Sequence, residues 1–148
     1  MQLQSFFNQV GVQFMKVVLR SPLHGLLSGS IVLITVTGRK SGKAYTTPVN
    51  YLRQGDVLSV VSLRNRTWWR NLRGGSPVIL RLQGQDMKGW GTVTEDDQGV
   101  AAGLSARLQQ VPHYAKYFGV TLDLNGRPRS EDITLAAQTR VVVQVKLS

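Results

Sequence analysis

The fold is decided by one stretch, Thr35 to Leu72, which contains TVTGRKSGK (35–43), AYTTPVNYL (44–52) and RNRTWWRNL (64–72). Cation-rich segments framed by glycines flank apolar, strand-like runs in this stretch. A β-scaffold that holds a phosphate-bearing aromatic ligand would have this pattern, because turns supply backbone N–H groups and cations for the phosphate. The rest of the chain is expected to support that site.

The apolar runs around this stretch predict three strands. Ile31 to Thr37 is β-branched and apolar, as in a buried strand, and Gly38 to Lys43 forms a turn into a second strand, Ala44 to Leu52. Pro48 within that second run indicates an edge or a bulge. A third strand is expected over Val57 to Leu63. Short turns between the three strands predict an antiparallel meander.

The remaining elements follow from the same patterns. Thr67 is the expected N-cap of a short helix through Arg73. A helix is expected from Glu95-Asp96-Asp97 to Pro112, with acids in its first turn, followed by one further turn at His113 to Phe118. The other expected strands are Val78 to Gln83, Met87 to Thr94 and Arg140 to Leu147, and a loop surrounds Asn125 to Pro128. Six strands with few helices predict a mainly β (α+β) fold, a small antiparallel barrel in a single domain over residues 1–148.

The net charge of +10 is concentrated in the first 94 residues, where Asp56 and Asp86 are the only acids. Residues 95–148 carry equal numbers of acidic and basic side chains. The basic half therefore indicates an anionic partner. Nucleic acid, an anionic membrane surface and a phosphorylated cofactor would each satisfy this charge.

Composition narrows the other possibilities. The chain has no cysteine and only His24 and His113, so thiolate chemistry is excluded and a histidine-rich metal site is not expected. Residues 1–21 form an expected amphipathic helix that either packs on the core or lies on a membrane surface as a peripheral contact. No signal peptide or membrane span is expected, so the predicted location is cytoplasmic.

Two motifs carry the candidate chemistry. The turn GRKSGK lacks the spacing and the following helix of a Walker A loop, which excludes an NTPase site. Of Trp68 and Trp69, one is expected in the core and the other elsewhere, near a helix N-terminus flanked by Arg64 and Arg66. Tyr114 and Tyr117 share a helical face, where they either pack on the surface or donate hydrogen bonds at a pocket mouth.

The sequence resembles the deazaflavin (coenzyme F420)-dependent nitroreductase and quinone reductase family in four segments. They are TVTGRKSGK at 35–43, YTTP at 45–48, WRNL at 69–72 and PV at 77–78. The similarity extends over about Ile31 to Tyr117. It implies a six-stranded split β-barrel of the flavin-reductase type and hydride transfer from reduced F420 to quinones, nitroaromatics or other small organic acceptors. Tyr114 and Tyr117 match tyrosines at the family's substrate pocket, the candidate catalytic pair.

The resemblance also assigns the cofactor-binding residues. Cations and small residues of the turn would hold the phosphate and acidic tail, the following strand would line the ring, and the segment from Ser62 to Leu72 would close the phosphate side. These residues are Arg39, Lys40, Ser41, Gly42, Lys43, Thr46, Thr47, Pro48, Ser62, Arg64, Trp68, Trp69, Asn71 and Leu72.

Two alternatives remain open. The first is an FMN-binding reductase on the same fold. The second is a basic β-barrel that binds single-stranded nucleic acid through Trp68, Trp69 and the neighbouring arginines, although the cations cluster at turns instead of along strand faces. No nucleic-acid partner and no metal are expected. A homodimer is expected by analogy with other split barrels.

Overall fold

The computed structural model describes residues 31–82 and 84–148. Its strands are β1 (Ile31–Thr37), β2 (Ala44–Gln54), β3 (Val57–Leu63), β4 (Ser76–Leu82), β5 (Gln85–Thr94) and β6 (Arg140–Leu147). Its helices are α1 (Asp97–Gln110), α2 (Ser130–Gln138) and two 3-10 helices, η1 (Trp68–Leu72) and η2 (Pro112–Phe118). The expected helix over residues 1–21, with its core or membrane contact, lies outside the described residues.

The six strands form a closed antiparallel barrel in the order β1-β2-β3-β6-β5-β4. The first three strands form the predicted meander. The barrel closes where β1 pairs with β4, from Leu33 opposite Arg81 to Thr35 opposite Ile79. Closure pairs the first strand with the fourth, so the sheet does not end in two free edge strands. The predicted six-stranded antiparallel barrel is therefore confirmed.

Alternating apolar residues fill the barrel interior. Strands β1, β3, β4 and β6 contribute buried side chains to this core, whereas β2 and β5 contribute partly buried ones. Helix η1 adds both tryptophans and Leu72. The fully buried members include Ile34, Leu58, Leu80 and Val143. Leu33 and Thr35, on the opposite face of β1, are buried as well, which agrees with the prediction of a buried first strand.

Strand β2 changes partners halfway along its length. Its residues 44–50 pair with β1, whereas Tyr51 to Gln54 pair with β3. Pro48 lies opposite Leu33, in the half that has only one strand neighbour in the described part of the chain. Proline has no N–H to donate to a second neighbour, so it belongs at such an edge. The edge prediction for Pro48 is confirmed.

A helical layer covers the outer face of β6. Val142 packs with side chains of α1, η2 and α2, and Val61 of β3 joins this second apolar cluster. The predicted helix after Glu95 is confirmed as α1, where the Asp96 carboxylate accepts a hydrogen bond from the Gly99 N–H at 2.8 Å. Helix α2 is not among the predicted elements. Within residues 31–82 and 84–148, no helix has the length and hydropathy to cross a membrane.

Candidate functional site: a basic cleft between a turn and a short helix

The turn between β1 and β2 is closed by its own backbone. The Gly38 N–H donates to the Lys43 carbonyl oxygen at 2.8 Å, and the Gly42 N–H donates to the Gly38 carbonyl oxygen at 2.8 Å. Gly42 has a φ of 70°, a conformation that glycine adopts without strain. A Cβ at Gly38 would lie 2.7 Å from both Ser41 Oγ and a Tyr45 ring carbon. Any other residue at position 38 would therefore require the Ser41 and Tyr45 side chains to move.

Helix η1 lies beside this turn, and Asn71 joins the two. Its Oδ1 accepts a hydrogen bond from the Arg39 backbone N–H at 3.1 Å, and its Nδ2 donates to the Trp68 carbonyl oxygen at 3.1 Å. The predicted helix is present as a 3-10 helix, and Thr67 occupies its N-cap position as expected, although the Thr67 side chain makes no capping hydrogen bond. The short connection from Leu63 to Trp68 is closed instead by a backbone bond from Arg66 to Leu63.

Both tryptophans of η1 are buried, so the expectation that one of them lies away from the core is wrong. Trp69 is 1% exposed, whereas Trp68 is 8% exposed and also lines the cleft described below. The Trp68 Nε1–H donates to Ser62 Oγ at 3.2 Å. Ser62 therefore holds the indole that forms a cleft wall.

The turn and η1 enclose an open cleft of about 570 Å³. Its lining residues are Gly38, Arg39, Lys40, Ser41, Tyr45, Thr67, Trp68, Arg70, Asn71 and Arg73. Five of the predicted cofactor-binding residues are among them: Arg39, Lys40, Ser41, Trp68 and Asn71. The structure thus brings together two segments that are separated by about thirty residues in the sequence.

The cleft is strongly cationic. All Asp and Glu residues lie in the described part of the chain, and none forms an ion pair with Arg39, Lys40 or Arg70. In the same turn, the backbone N–H groups of Lys40 and Ser41 donate no hydrogen bond to any described residue. Cations together with undonated N–H groups form a site for an anion.

Arg73 differs from the other cleft cations because it is paired. Its Nε and Nη2 each donate to a carboxylate oxygen of Glu95 at 2.8 Å. This hydrogen bond is the main reason that the pKa of Glu95 lies below its usual value, and the charges of Arg64 and Arg70 add to the effect. The same bond raises the pKa of Arg73. Arg73 also stacks over the Trp69 ring, 5.2 Å from its centroid.

The other predicted cofactor residues surround the cleft without lining it. Gly42 and Lys43 are exposed in the turn, Thr46, Thr47 and Pro48 are half-buried on the singly paired half of β2, and Leu72 and Trp69 are buried in the barrel. The Thr46 hydroxyl is bonded to Thr35 Oγ1 at 2.6 Å. Arg64 is directed to the backbone, because its Nη2 donates to the carbonyl oxygens of Glu95 and Arg140 at 2.8 and 3.0 Å.

The candidate catalytic tyrosines lie in the helical layer. Tyr114 is buried there and Tyr117 packs edge-on against it, with ring centroids 6.4 Å apart. Neither tyrosine lines the cleft. The structure therefore places the two tyrosines together, as predicted from their spacing, but does not place them among the cleft residues.

Four side chains of the cleft were not among the predicted site residues. They are Tyr45, Thr67, Arg70 and Arg73. Arg70 and Arg73 are three residues apart, which places them on one side of a helical turn and would have indicated a shared role. Tyr45 carries no such signal, since its contact with Ser41 Oγ at 3.2 Å depends on how the turn closes.

A family model for F420H2-dependent quinone reductases matches residues 13–123, about three quarters of the chain. The protein belongs to this family. The match confirms the resemblance drawn from the sequence, and coenzyme F420 is the cofactor that the family uses. The protein is accordingly an F420-dependent reductase. No curated protein matches the chain.

Solved structures share the fold. A Bacteroides thetaiotaomicron protein provisionally described as a 5-nitroimidazole antibiotic resistance protein has a TM-score of 0.52 and 16% identity, over 83% of this chain and 75% of its own. A structure described as a domain-swapped dimer has a TM-score of 0.52 and 18% identity, over 94% of this chain and 98% of its own. An F420-H2 dependent reductase has a TM-score of 0.46 and 16% identity, over 80% and 94%. At these identities the first two likenesses support the fold alone.

The cleft fits the family's cofactor in its chemistry. F420 carries a phosphate and a carboxylate-bearing tail, and the cleft offers Arg39, Lys40 and Arg70 without carboxylate partners. Because Gly38 has no Cβ, the Ser41 hydroxyl and the Tyr45 ring can lie close to its backbone in the cleft wall. The side chains present are therefore those that an anionic ligand needs.

Proposed function

We propose that this F420-dependent reductase transfers hydride to a small organic acceptor, a quinone or a nitroaromatic compound. The observation that carries the proposal is the cleft itself, in which three cations without carboxylate partners and an indole wall come from the turn and η1. A flat, phosphate-bearing cofactor needs both features.

In this proposal the turn binds the anionic part of the cofactor. Arg39, Lys40 and Arg70 supply positive charge, and the backbone N–H groups of Lys40 and Ser41 supply directed donors. Gly42 and Lys43 complete the turn, and Asn71 keeps it against η1 through the Arg39 N–H. Trp68, fixed by Ser62, forms the wall against which the ligand packs.

The ring would lie along β2 at Thr46, Thr47 and Pro48. Support for this position comes from the pairing of β2, since residues 44–50 have one strand neighbour in the described part of the chain. A strand with one open side has backbone groups available for a planar ligand. The side chains of Thr46, Thr47 and Pro48 are half-buried there.

When bound, the reduced deazaflavin supplies the hydride, so the protein needs no acid or base strong enough to break a bond. The contribution of this chain is positioning and charge stabilisation. Tyr114 and Tyr117 are proposed to donate hydrogen bonds to an acceptor oxygen that gains negative charge. Both tyrosines belong to the helical layer over β6.

The homodimer, expected by analogy with other split barrels, stays a prediction. The cytoplasmic location also stays a prediction. Light scattering on the purified full chain would measure the oligomeric state. The nucleic-acid alternative gains no support from the family match, which instead accounts for the basic charge through an anionic cofactor.

A fluorescence titration with F420 tests the proposal, using the wild-type protein and Arg39→Ala/Lys40→Ala. Removing two cleft cations should weaken F420 binding by at least about tenfold, because the loss of even one charge-assisted contact costs roughly 1.5 kcal/mol or more. Arg127→Ala/Arg129→Ala removes the same charge from an exposed loop outside the cleft and is the matched control. Equal losses in both variants would contradict the cleft assignment.

Two further arms separate the alternatives. FMN titrated in parallel should bind more weakly than F420, and tighter FMN binding would favour the flavin alternative.

The variant Lys43→Ala tests whether the family resemblance or the cleft geometry better identifies the cofactor-binding residues. Lys43 belongs to the family pattern but does not line the cleft. We expect a smaller loss from Lys43→Ala than from Lys40→Ala. Steady-state reduction of a quinone and of a nitroaromatic then ranks the two acceptor classes.

A further inference from the structure

Glu95 accepts hydrogen bonds from two arginines, one on each side of η1 in the sequence. Arg64, four residues before η1, donates to the Glu95 carbonyl oxygen at 2.8 Å. Arg73, directly after η1, donates two hydrogen bonds to the Glu95 carboxylate, both at 2.8 Å. Glu95 itself lies between β5 and α1 and does not line the cleft.

We propose that Glu95 is a positioning residue of the cofactor cleft, whose carboxylate fixes Arg73 and with it the C-terminal end of η1. The proposal rests on the proposed function in taking F420 as the ligand of the cleft. It goes beyond the proposed function by assigning a role in the cleft to Glu95, an acid that is not among the site residues predicted from the sequence or the resemblance.

The geometry of the Arg73 side chain carries the first step. A guanidinium bonded through two parallel hydrogen bonds to one carboxylate has a defined plane, unlike one held by a single contact. The Cζ atom of the Arg73 guanidinium lies over the Trp69 ring, 5.2 Å from the centroid, and Trp69 is fully buried in the barrel. Arg73 is thus fixed between a core side chain and Glu95, while it lines the cleft.

The second step concerns the turn on the other side of the cleft. The backbone of η1 is short, and its residue Asn71 accepts the hydrogen bond from the Arg39 N–H. Arg73 is two residues after Asn71, and its N–H donates to the Arg70 carbonyl oxygen at 3.3 Å. Movement of Arg73 would therefore displace Asn71 and loosen the bond that holds the turn. Glu95 acts on the cofactor cations through this chain of contacts.

Amide hydrogen exchange measured by NMR tests the proposal without any ligand. In Glu95→Gln, which removes the charge and keeps the shape, we expect exchange at the Arg39 and Arg73 N–H groups to be about three- to tenfold faster. Glu131→Gln removes an exposed carboxylate in the first turn of α2 and should leave both rates unchanged. Unchanged rates in Glu95→Gln would overturn the proposal.

Cofactor binding gives the second readout. We expect Glu95→Gln to raise the Kd for F420 about three- to tenfold, because a small misplacement of binding groups weakens a preorganised site. Arg73→Lys, which cannot form two parallel bonds, should have a similar effect, and the double variant should lose no more than either single variant. Tighter F420 binding in Glu95→Gln would overturn the proposal, because it would mean that the carboxylate only repels the anion.

The two readouts keep the inferences separate. If the wild-type protein bound no F420 but exchange at Arg39 increased in Glu95→Gln, the proposed function would fail and the positioning role would stand. If F420 bound the wild-type protein and Glu95→Gln equally, with unchanged exchange, the positioning role alone would fail. A lower melting temperature with neither change would also count against it, since that is the result of a purely structural role.

Discussion

The variant Gly38→Ala tests how much F420 binding depends on the absence of a side chain at position 38. In Gly38→Ala the new Cβ would meet Ser41 Oγ and a Tyr45 ring carbon at 2.7 Å, so both cleft side chains have to move. Tyr45 is half exposed and can rotate, which limits the effect on folding. We expect F420 binding to weaken about tenfold, by analogy with other small misplacements in a preorganised site. A fluorescence titration measures this change.

Gly126→Ala is the control for the Gly38 variant. Gly126 has a φ of 76° and open space around it, so an added Cβ strains the backbone without touching the cleft. It should lower the free energy of unfolding by about 1 kcal/mol and leave the Kd for F420 unchanged. If Gly38→Ala behaved like Gly126→Ala, the close contacts at position 38 would not shape the cleft.

Sequence patterns identify the turn residues better than the residues of η1. The turn is recognisable because its three cations, Arg39, Lys40 and Lys43, exceed what a plain hairpin needs. The sequence does not show that both adjacent tryptophans enter the core, since that depends on how η1 packs against Ser62 of β3. The pairing of Arg73 with Glu95 joins residues 22 positions apart and has no local signal.

Helix η1 is held by an ion pair whose pH dependence has a defined sign. The pKa of Glu95 is lowered in the folded protein, first by the hydrogen bond from Arg73, which opposes the raising effect of burial, and then by the charges of Arg73, Arg64 and Arg70. A lowered carboxyl pKa gives stability that is present above the unfolded-state pKa and is lost as the pH falls through the folded-state pKa. The pair should therefore be intact throughout the neutral range.

Tryptophan fluorescence during an acid titration tests this expectation. Trp69 lies under the Arg73 guanidinium, so its emission should change when the Glu95 carboxylate is protonated. We expect the transition below the usual glutamate range in the wild-type protein and no such transition in Glu95→Gln. A transition at the usual glutamate pKa in the wild-type protein would mean that the ion pair contributes little in solution.

The strands were predictable and helix α2 was not, for a physical reason. β1, β3 and β6 consist of β-branched runs or strict alternation, which produce strong period-two signals. In α2 the buried face is Ile133, Ala136 and Ala137, with the helical spacing but little apolar area. Glu131 and Asp132 in its first turn were the usable signal, next to a loop rich in glycine and proline.

The net positive charge of the whole molecule belongs to residues 1–94, which include strands β1 to β5, while residues 95–148 have a net charge of zero. The sequence predicts this division and also the closure of the barrel, because six short antiparallel strands need to eliminate their edges. It does not predict that β2 divides its pairing between β1 and β3. That division depends on how far each turn extends, which local patterns do not determine.

The concentration of charge predicts how salt affects cofactor binding. Between about 20 and 200 mM salt, screening shortens the range of exposed charges, so the Kd of the wild-type protein for F420 should rise several-fold. In Arg39→Ala/Lys40→Ala the dependence should be weaker, because the cations that face the ligand are gone, whereas Arg127→Ala/Arg129→Ala should retain the wild-type slope. Equal slopes in all three proteins would show that the field of the whole barrel, and not the cleft, attracts the anion. A steep slope for single-stranded DNA, with competition against F420, would revive the nucleic-acid alternative.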